Sequence, residues 1–363
     1  MQQEQHDHYA GIINRLTLAI ILLSGLVMFL GFCLVYGTPD LLKPTPSDPQ
    51  KDKEARERVA DFNALNDLRS QLTNNNAQLW SAPNLSSVPL GEKGSLILYG
   101  RKLIANTSKF LGPKGTVAHI SNGMNCQNCH LDAGTKPFGN NYSAVAPTYP
   151  KFRERSGTIE SVYKRVNDCF ERSLNGQALD TLGKEMQAIK AYILWLGQGL
   201  PKKEKPKGSG ITEINYLNRA ADPEKGKIVY IDKCKRCHQE NGEGKIESDG
   251  LSYQYPPLWG EHSYNIGAGL YRLSRFAGYV KSNMPQGASY DNPQLTDEEA
   301  WDVAAFVNSQ PRPERDLSKD WPKISGKPAD HPFGPYADAF SEQQHKYGPF
   351  EPIAAIKKKN NTK

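Results

Sequence analysis

The hydrophobic positions of this 363-residue chain form one long continuous run and several helical patterns. The run, at residues 16–36, contains no charged residue and is long enough to cross a bilayer as a helix. It exceeds the apolar part of a signal peptide, and no small-x-small cleavage site follows it. We therefore predict an uncleaved transmembrane anchor, with Cys33 as an apolar filler inside it.

Polar and patterned segments divide the rest of the chain. A polar, charged stretch with four early prolines follows the anchor and predicts an extended tether. Two stretches with buried-helix patterning come next, separated by a segment rich in Lys, Pro and Gly. The predicted organisation is a cytoplasmic segment at 1–15, the anchor at 16–36, the tether at 37–75, a first domain at 76–199, a linker at 200–215, a second domain at 216–313 and a surface extension at 314–363.

Each of the two patterned stretches is predicted to begin and end with a helix. In the second closing helix, Thr296 is placed as an N-cap, and Glu299 three residues later completes a capping box. In the first closing helix the apolar residues share one face. The fold class is therefore mainly α. The residues of that face are Met186, Ile189, Tyr192, Ile193 and Leu196.

The pentapeptide Cys-x-x-Cys-His occurs twice and carries the chemistry of the chain. Its two thiols can form thioethers with haem vinyl groups, and its imidazole can take one axial face of the iron. A zinc site would need further Cys or His pairs, and a redox Cys-x-x-Cys would not need the histidine. We predict two covalently bound haem c groups, one in each of two tandem cytochrome c-like domains. The motif residues are Cys126, Cys129, His130, Cys234, Cys237 and His238.

Haem attachment also predicts where the protein lies. Covalent c-type haem is attached outside the bacterial cytoplasmic membrane. The expected location is thus the inner membrane, with a single pass and with the haem domains in the periplasm or on the outer side. The net charge of +6 fits an electron-transfer protein, and we expect no nucleic-acid partner.

Each iron needs a sixth ligand or an open position. Met284, in a Met-Pro loop before the closing helix, is predicted to ligate the second haem. The loop at the matching place in the first half holds Cys169 instead, which predicts a sulfur ligand for the first haem. A buried free cysteine is the alternative. Met186 is the main rival ligand, and Met124 and His119 are weaker ones.

Basic residues and serines surround Cys169 in the sequence. Guanidinium and hydroxyl groups suit oxyanions, which they bind by charge-assisted hydrogen bonds. The alternative is a solvated basic face whose arginines pair with Glu154, Glu160 and Glu171. The residues in question are Arg153, Arg155, Arg165, Arg172, Ser156 and Ser173.

Several longer motifs carry a specific resemblance, in order and over residues 85–313: NGMNCQNCHLDAG, YPKFRERSG, RVNDCFERSLNG, EMQAIKAYILWL, DPEKGKIVYIDKCKRCH, YPPLWG, GAGLYRL, NMP and EAWDVAAFVNSQPRP. The chain resembles the dihaem thiosulfate dehydrogenase family. The resemblance implies coupling of two thiosulfates to tetrathionate, and some members run the reverse reaction. It also implies that Cys169 is the haem 1 ligand and that Met284 is the haem 2 ligand. Arg155, Arg165 and Ser173 match the anion-binding residues of the active site.

The chain departs from the family pattern at two places. Asn283 precedes Met284 where some relatives have a lysine that can ligate the oxidised haem, although Lys281 is close. The anchor is the second departure, since relatives are often soluble and periplasmic. The implied electron partner is a small c-type cytochrome or a membrane oxidase module.

Two other functions remain open from the sequence. A membrane-tethered dihaem relay without catalysis of its own fits the two haems, the anchor and the charge. A cytochrome that loads a sulfur-carrier protein would share the cysteine ligand.

Overall fold

The first haem motif lies among helices and one short hairpin. The computed structural model describes residues 79–361, together with the isolated positions Ser24 and Gln50. In the first half the helices are α1 (Glu92–Ala105), α2 (Thr107–Leu111), α3 (Leu131–Gly134), α4 (Val145–Thr148), α5 (Val162–Arg172) and α6 (Lys184–Leu196), and strands β1 (Lys151–Arg153) and β2 (Thr158–Glu160) pair antiparallel. Single 3-10 turns occur at Leu85–Ser87 and Cys126–Asn128.

The second half repeats this plan with a different set of loops. Its helices are α7 (Pro223–Val229), α8 (Lys235–His238), α9 (Leu273–Asn283) and α10 (Asp297–Ser309), and strands β3 (Lys245–Ile246) and β4 (Tyr253–Tyr255) pair antiparallel. A π turn at Tyr230–Cys234 joins α7 to α8, and a 3-10 turn at Gly269–Tyr271 precedes α9. The remaining elements are a 3-10 turn at Ile324–Gly326, α11 (Glu342–Tyr347) and α12 (Glu351–Asn361).

A glycine brings the first and last helices of each half into backbone contact. A Cβ on Gly100 of α1 would lie 1.9 Å from Ala188 O of α6, and a Cβ on Gly226 of α7 would lie 1.9 Å from Asp302 O of α10. Any larger side chain at either position would separate the helices. The internal repeat predicted from the two motifs therefore extends to the way in which the helices cross.

The predicted closing helices are present and buried. All five apolar residues assigned to the face of α6 are at most 3% exposed. Thr296 caps α10, and Glu299 returns the hydrogen bond as the capping box requires. Trp301 of α10 is 1% exposed and donates its indole N–H to Asn215 O at 2.9 Å. Both helices build the core against which the motif segments pack.

The segment after α6 runs along the first half. Trp80 N donates to Lys207 O at 2.9 Å, and Phe138 N donates to Gly208 O at 2.8 Å. Asn140 N donates to Gly210 O at 2.7 Å. The Lys-, Pro- and Gly-rich sequence thus serves as a packed strap in the described structure.

The C-terminal segment corrects one expectation from the sequence. We predicted a surface extension after residue 313, but two of its apolar side chains are buried: Phe350 is 2% exposed and Ile353 is fully buried. Phe350 lies 5.5 Å from the Trp301 ring and 5.6 Å from the Tyr216 ring, measured between centroids. The aromatic residues within this Lys- and Pro-rich stretch indicate burial, which the prediction of a surface extension did not take into account.

The predicted anchor at 16–36 lies outside the described residues apart from Ser24, as do the segments 1–15 and 37–75. Within the part of the chain that the structure describes, no helix is long and apolar enough to span a membrane.

Gly226→Ala is expected to lower the free energy of unfolding by about 1–3 kcal/mol, because the added methyl group has no space against α10. Gly269→Ala is the control, since a Cβ there meets nothing within 4 Å. Thermal or denaturant unfolding of both variants measures the difference. Equal stability of the two variants would contradict the close crossing.

Candidate functional site

One backbone carbonyl orients each motif histidine. His130 Nδ1 lies 2.5 Å from Asn140 O, and His238 Nδ1 lies 2.9 Å from Pro256 O. A carbonyl can only accept, so Nδ1 carries the proton and Nε2 keeps its lone pair. Burial lowers the pKa of both histidines, to about 4 for His130, and both are therefore neutral near pH 7. This is the form in which an imidazole binds iron.

The motif cysteines line two cavities. Cys126 and Cys129 line a cavity of about 150 Å³, and Cys234 and Cys237 line one of about 540 Å³. The second volume is within the range of about 300–1,000 Å³ typical of cofactor pockets. The first is below it, so the donor set rather than the space supports haem binding there. Two thiols and a neutral imidazole are present at both motifs, and the residues fit a covalently held haem.

Cys169 lies on helix α5, and this corrects the prediction of a loop. Ser161 caps α5, and Cys169 lies two turns into the helix. The side chain lines the same cavity as His130. The loop was predicted by analogy with the second half, where Met284 follows the end of α9. The sequence did contain a helical signal, because Arg165, Cys169 and Ser173 are spaced four residues apart.

The rival ligands of the first haem have other surroundings. Met186 is buried on α6 and is not among the residues that line the first cavity. Met124 lines the second cavity instead. His119 Nε2 lies 3.1 Å from Gly115 O. Of these four candidates, Cys169 alone is placed beside His130.

Arg165 and Ser173 share the cavity with Cys169. The negative charge of a Cys169 thiolate raises the pKa of Arg165 above its usual value, and burial opposes this. Within residues 79–361, no side chain or carbonyl hydrogen-bonds the Arg165 guanidinium or the Ser173 hydroxyl. Tyr149, which the sequence analysis missed, also lines this cavity. A charged donor and a hydroxyl therefore face the same space as the sulfur.

Arg155 and Arg172 lie outside this cavity. Arg155 Nη1 donates to Gly267 O at 3.1 Å. Burial, followed by the charges of Arg172 and Arg165, lowers the pKa of Arg155 to about 10. Arg172 pairs with Asp320, and Glu171 pairs with Arg315 rather than with an arginine near the cysteine. These partners come from the C-terminal segment, for which the sequence predicted no role.

In the second half, Met284 lines the larger cavity together with His238. Lys281 Nζ donates to Leu295 O at 2.6 Å and pairs with Asp297 at 2.9 Å. Asn283 Nδ2 donates to Tyr279 O at 2.9 Å and to Phe138 O at 3.1 Å. Lys281, the alternative to Met284 as a ligand, thus has other partners in the structure.

The two cavities adjoin. Cys129 lines both of them. Tyr279 of α9 donates its hydroxyl to Asn128 O of the first motif at 2.9 Å. Groups held at the two motifs would therefore be neighbours, with the first motif between them.

Comparisons with known proteins agree with this arrangement. The model of the SoxA/TsdA cytochrome c domain matches residues 116–201, and the cytochrome c model matches residues 223–311. A thiosulfate dehydrogenase from Psychrobacter arcticus is 35% identical over 283 residues, which cover 75% of this chain and 82% of that relative. The chain belongs to the thiosulfate dehydrogenase family. The predicted family, the two covalent c-type haems and the two cytochrome c domains in a mainly helical fold are confirmed.

A further member, one structure and one more distant protein extend the comparison. A thiosulfate dehydrogenase from Allochromatium vinosum is 37% identical over 237 residues, covering 64% of this chain and 84% of that relative. The structure of thiosulfate dehydrogenase (TsdBA) from Marichromatium purpuratum, in its as-isolated form, is similar with a TM-score of 0.60 and 32% identity over 65% of this chain. The chain spans 50% of that structure's chain. The L-cysteine S-thiosulfotransferase subunit SoxA of Rhodovulum sulfidophilum is 24% identical over 147 residues.

Met284→Ala is expected to lower the reduction potential of one haem, because a Met/His pair of ligands raises it. Lys281→Ala is expected to leave both potentials unchanged, since Lys281 is paired with Asp297. Potentiometric titration of the visible spectrum measures both. A comparable shift in the lysine variant would contradict the assignment of Met284 as the axial ligand.

Proposed function

We propose that this protein oxidises thiosulfate and joins two thiosulfate ions into tetrathionate at the cavity of the first motif. One observation carries the proposal: Arg165 and Cys169 of α5, together with Ser173 at its C-cap, line the same cavity as His130. An electron-transfer protein has no need of a charged donor beside an axial sulfur. The family membership supports the same reaction.

The chemistry requires charge stabilisation and sulfur contact rather than proton transfer. Two thiosulfate dianions lose two electrons, and one S–S bond forms between their outer sulfurs, which gives the tetrathionate dianion. No proton is taken up or released. The protein must therefore bring two dianions together against their mutual repulsion, for which fixed positive charge is the main requirement.

Different residues provide the positive charge and the sulfur contact. Arg165 and Ser173 donate hydrogen bonds to the sulfonate oxygens, where a guanidinium provides a forked contact. The outer sulfur is then directed at Cys169, one helical turn from Arg165. Arg155 lies outside the cavity and contributes positive charge at longer range.

His130 and Cys169 would hold the first haem, and His238 and Met284 the second. When bound, the haems accept the two electrons and pass them to an external acceptor, for which a small c-type cytochrome or a membrane oxidase module is suited. With residues 16–36 as an anchor, the haem domains would lie on the outer side of the cytoplasmic membrane. The opposite direction, reduction of tetrathionate, uses the same contacts in reverse.

The two alternatives differ in what they require. A dihaem relay needs no anion site and would show no thiosulfate turnover. A carrier-loading cytochrome, which the more distant likeness to the SoxA subunit favours, would act only with a carrier protein. An assay with purified protein, free thiosulfate or tetrathionate and an artificial electron carrier, run in both directions, separates all three.

Cys169→Gly is expected to retain two covalent haems, because Cys126, Cys129, Cys234 and Cys237 are intact, and to lose at least about a hundredfold in turnover. Haem content is measured by the pyridine haemochrome and activity by tetrathionate formation. Low-temperature electron paramagnetic resonance of the oxidised wild type should show one low-spin signal with the narrow g spread of thiolate ligation. Normal turnover in the variant would rule out a catalytic role for Cys169.

Arg165→Ala is expected to raise KM for thiosulfate by about ten- to hundredfold, as for the loss of a charge-assisted hydrogen bond. Lys184→Ala is the control, because it removes one positive charge from an exposed position at the start of α6. Steady-state kinetics at constant ionic strength compare the two. Equal effects would indicate general attraction of anions rather than a contact at the cavity.

A further inference from the structure

The C-terminal segment, residues 314–361, contacts the first half beside the anion site. Trp321 N donates to Arg155 O at 2.6 Å, and the Trp321 ring lies 5.9 Å from the Arg155 guanidinium. Arg315 donates to Glu171 O at 3.0 Å and pairs with the Glu171 carboxylate at 3.2 Å. Arg155 precedes α5, and Glu171 lies near the end of α5. The segment thus touches both ends of the part of the chain that bears Arg165 and Cys169.

Asp320 makes the strongest of these contacts. Arg172 donates from Nη1 to Asp320 Oδ2 at 2.8 Å and from Nη2 to Asp320 Oδ1 at 2.7 Å. The two side chains are only 9% and 12% exposed. A two-point pair with this burial fixes the orientation of both groups, and removing one partner leaves an uncompensated charge. Arg172 follows Cys169 by three residues on α5.

Gly267 connects the pair to Arg155. Its carbonyl accepts from Arg155 Nη1 at 3.1 Å and from Arg172 Nη1 at 3.5 Å. A Cβ at Gly267 would lie 2.8 Å from Arg172 Nη1, so the arginine approaches close to the glycine. The position of Arg155 therefore depends on that of Arg172, and through it on Asp320.

The middle of the segment is held by the second half. Asp330 pairs with Arg272 at 2.6 Å and accepts from Ser274 N at 3.0 Å and from Ser274 Oγ at 2.6 Å. Trp321 Nε1 donates to His331 Nε2 at 2.9 Å. The segment is anchored on one half and pairs with residues of the other.

Three positively charged arginines lie on or near α5, close to the Asp320 carboxylate. Arg155, Arg165 and Arg172 interact strongly enough that the latter two lower the pKa of Arg155. Three neighbouring guanidinium groups repel one another, and a carboxylate that pairs with Arg172 holds it in place against that repulsion. Asp320 provides the closer carboxylate for Arg172, at 2.7 Å against 3.8 Å for Asp168, while Arg165 lines the described cavity.

We propose that residues 314–361 form a clasp that sets the anion site from outside the cavity, and that Asp320 is a positioning residue acting through Arg172. The clasp rests on the proposed function, because the site it shapes is the one assigned to thiosulfate. Asp320 lines neither of the two motif cavities. Its effect is transmitted through the Arg172 and Arg155 guanidinium groups.

Asp320→Asn is expected to raise KM for thiosulfate about tenfold while kcat changes less than about twofold. Asp316→Asn is the matched control: Asp316 lies on the same segment, is exposed and accepts only from Ser318 among the described residues. Arg172→Gln alone should raise KM similarly. In the double variant, Arg172→Gln with Asp320→Asn, KM should equal that of Arg172→Gln, because Asp320 acts through Arg172.

Each other outcome has a defined meaning. A lower melting temperature with unchanged KM in Asp320→Asn would show a purely structural pair and overturn the clasp. Additive effects on KM in the double variant would also overturn it. If Asp320→Asn does not fold, the double variant, which buries no unpaired charge, is compared with Arg172→Gln alone.

A measurement of anion binding tests the clasp independently of the proposed reaction. Sulfate, a redox-inert dianion, is titrated calorimetrically into the wild type, Asp320→Asn and Arg165→Ala. If the wild type binds sulfate but forms no tetrathionate, the proposed function fails, and weaker sulfate binding by Asp320→Asn still supports the clasp. If sulfate binding is the same in Asp320→Asn, or absent in the wild type, the clasp is wrong.

Discussion

The hydrogen bond between each motif histidine and a backbone carbonyl is the constraint on which both halves depend. A neutral imidazole binds iron through Nε2 when Nδ1 carries the proton, and a carbonyl that accepts from Nδ1 fixes this tautomer and the orientation of the ring. In the first half the acceptor is Asn140 O, in a residue with a φ of 58° that asparagine tolerates better than most residues. The strap after α6 stabilises this conformation, since Asn140 N donates to Gly210 O. A segment rich in Lys, Pro and Gly therefore helps to orient an axial ligand.

The equivalent carbonyl in the second half has its own support. Pro256 O accepts from His238, and Leu258 N donates to Gly242 O at 2.8 Å. A Cβ at Gly242 would lie 2.5 Å from the Trp259 ring, so glycine is required where this loop packs. The PPLWG sequence and the loop at Gly242 thus pack together, and this packing supports the Pro256 carbonyl that accepts from His238. Different loops satisfy the same requirement in the two halves.

The sequence predicted those features that repeat with a fixed spacing. The motif residues, the faces of the closing helices and the Thr296 cap could all be predicted, because helical period and capping chemistry act locally. The partners of the arginines could not. Asp320 lies 148 residues from Arg172, and nothing local in a Lys- and Pro-rich segment indicates that it folds back. Long-range ion pairs depend on the tertiary path of the chain, which periodicity does not encode.

The placement of the two sulfurs accounts for the difference between the halves. Cys169 lies within α5, so residues four positions before and after it, Arg165 and Ser173, face the same cavity. Met284 instead follows the last residue of α9 in an extended conformation, and the nearest cation, Lys281, is held by Asp297. When the sulfur belongs to a helical residue, the side chains four positions before and after it face the same cavity. When the sulfur follows the end of a helix, this spacing does not apply. The position of Cys169 within a helix therefore places the sulfur and the groups proposed to bind the anion on one stretch of chain.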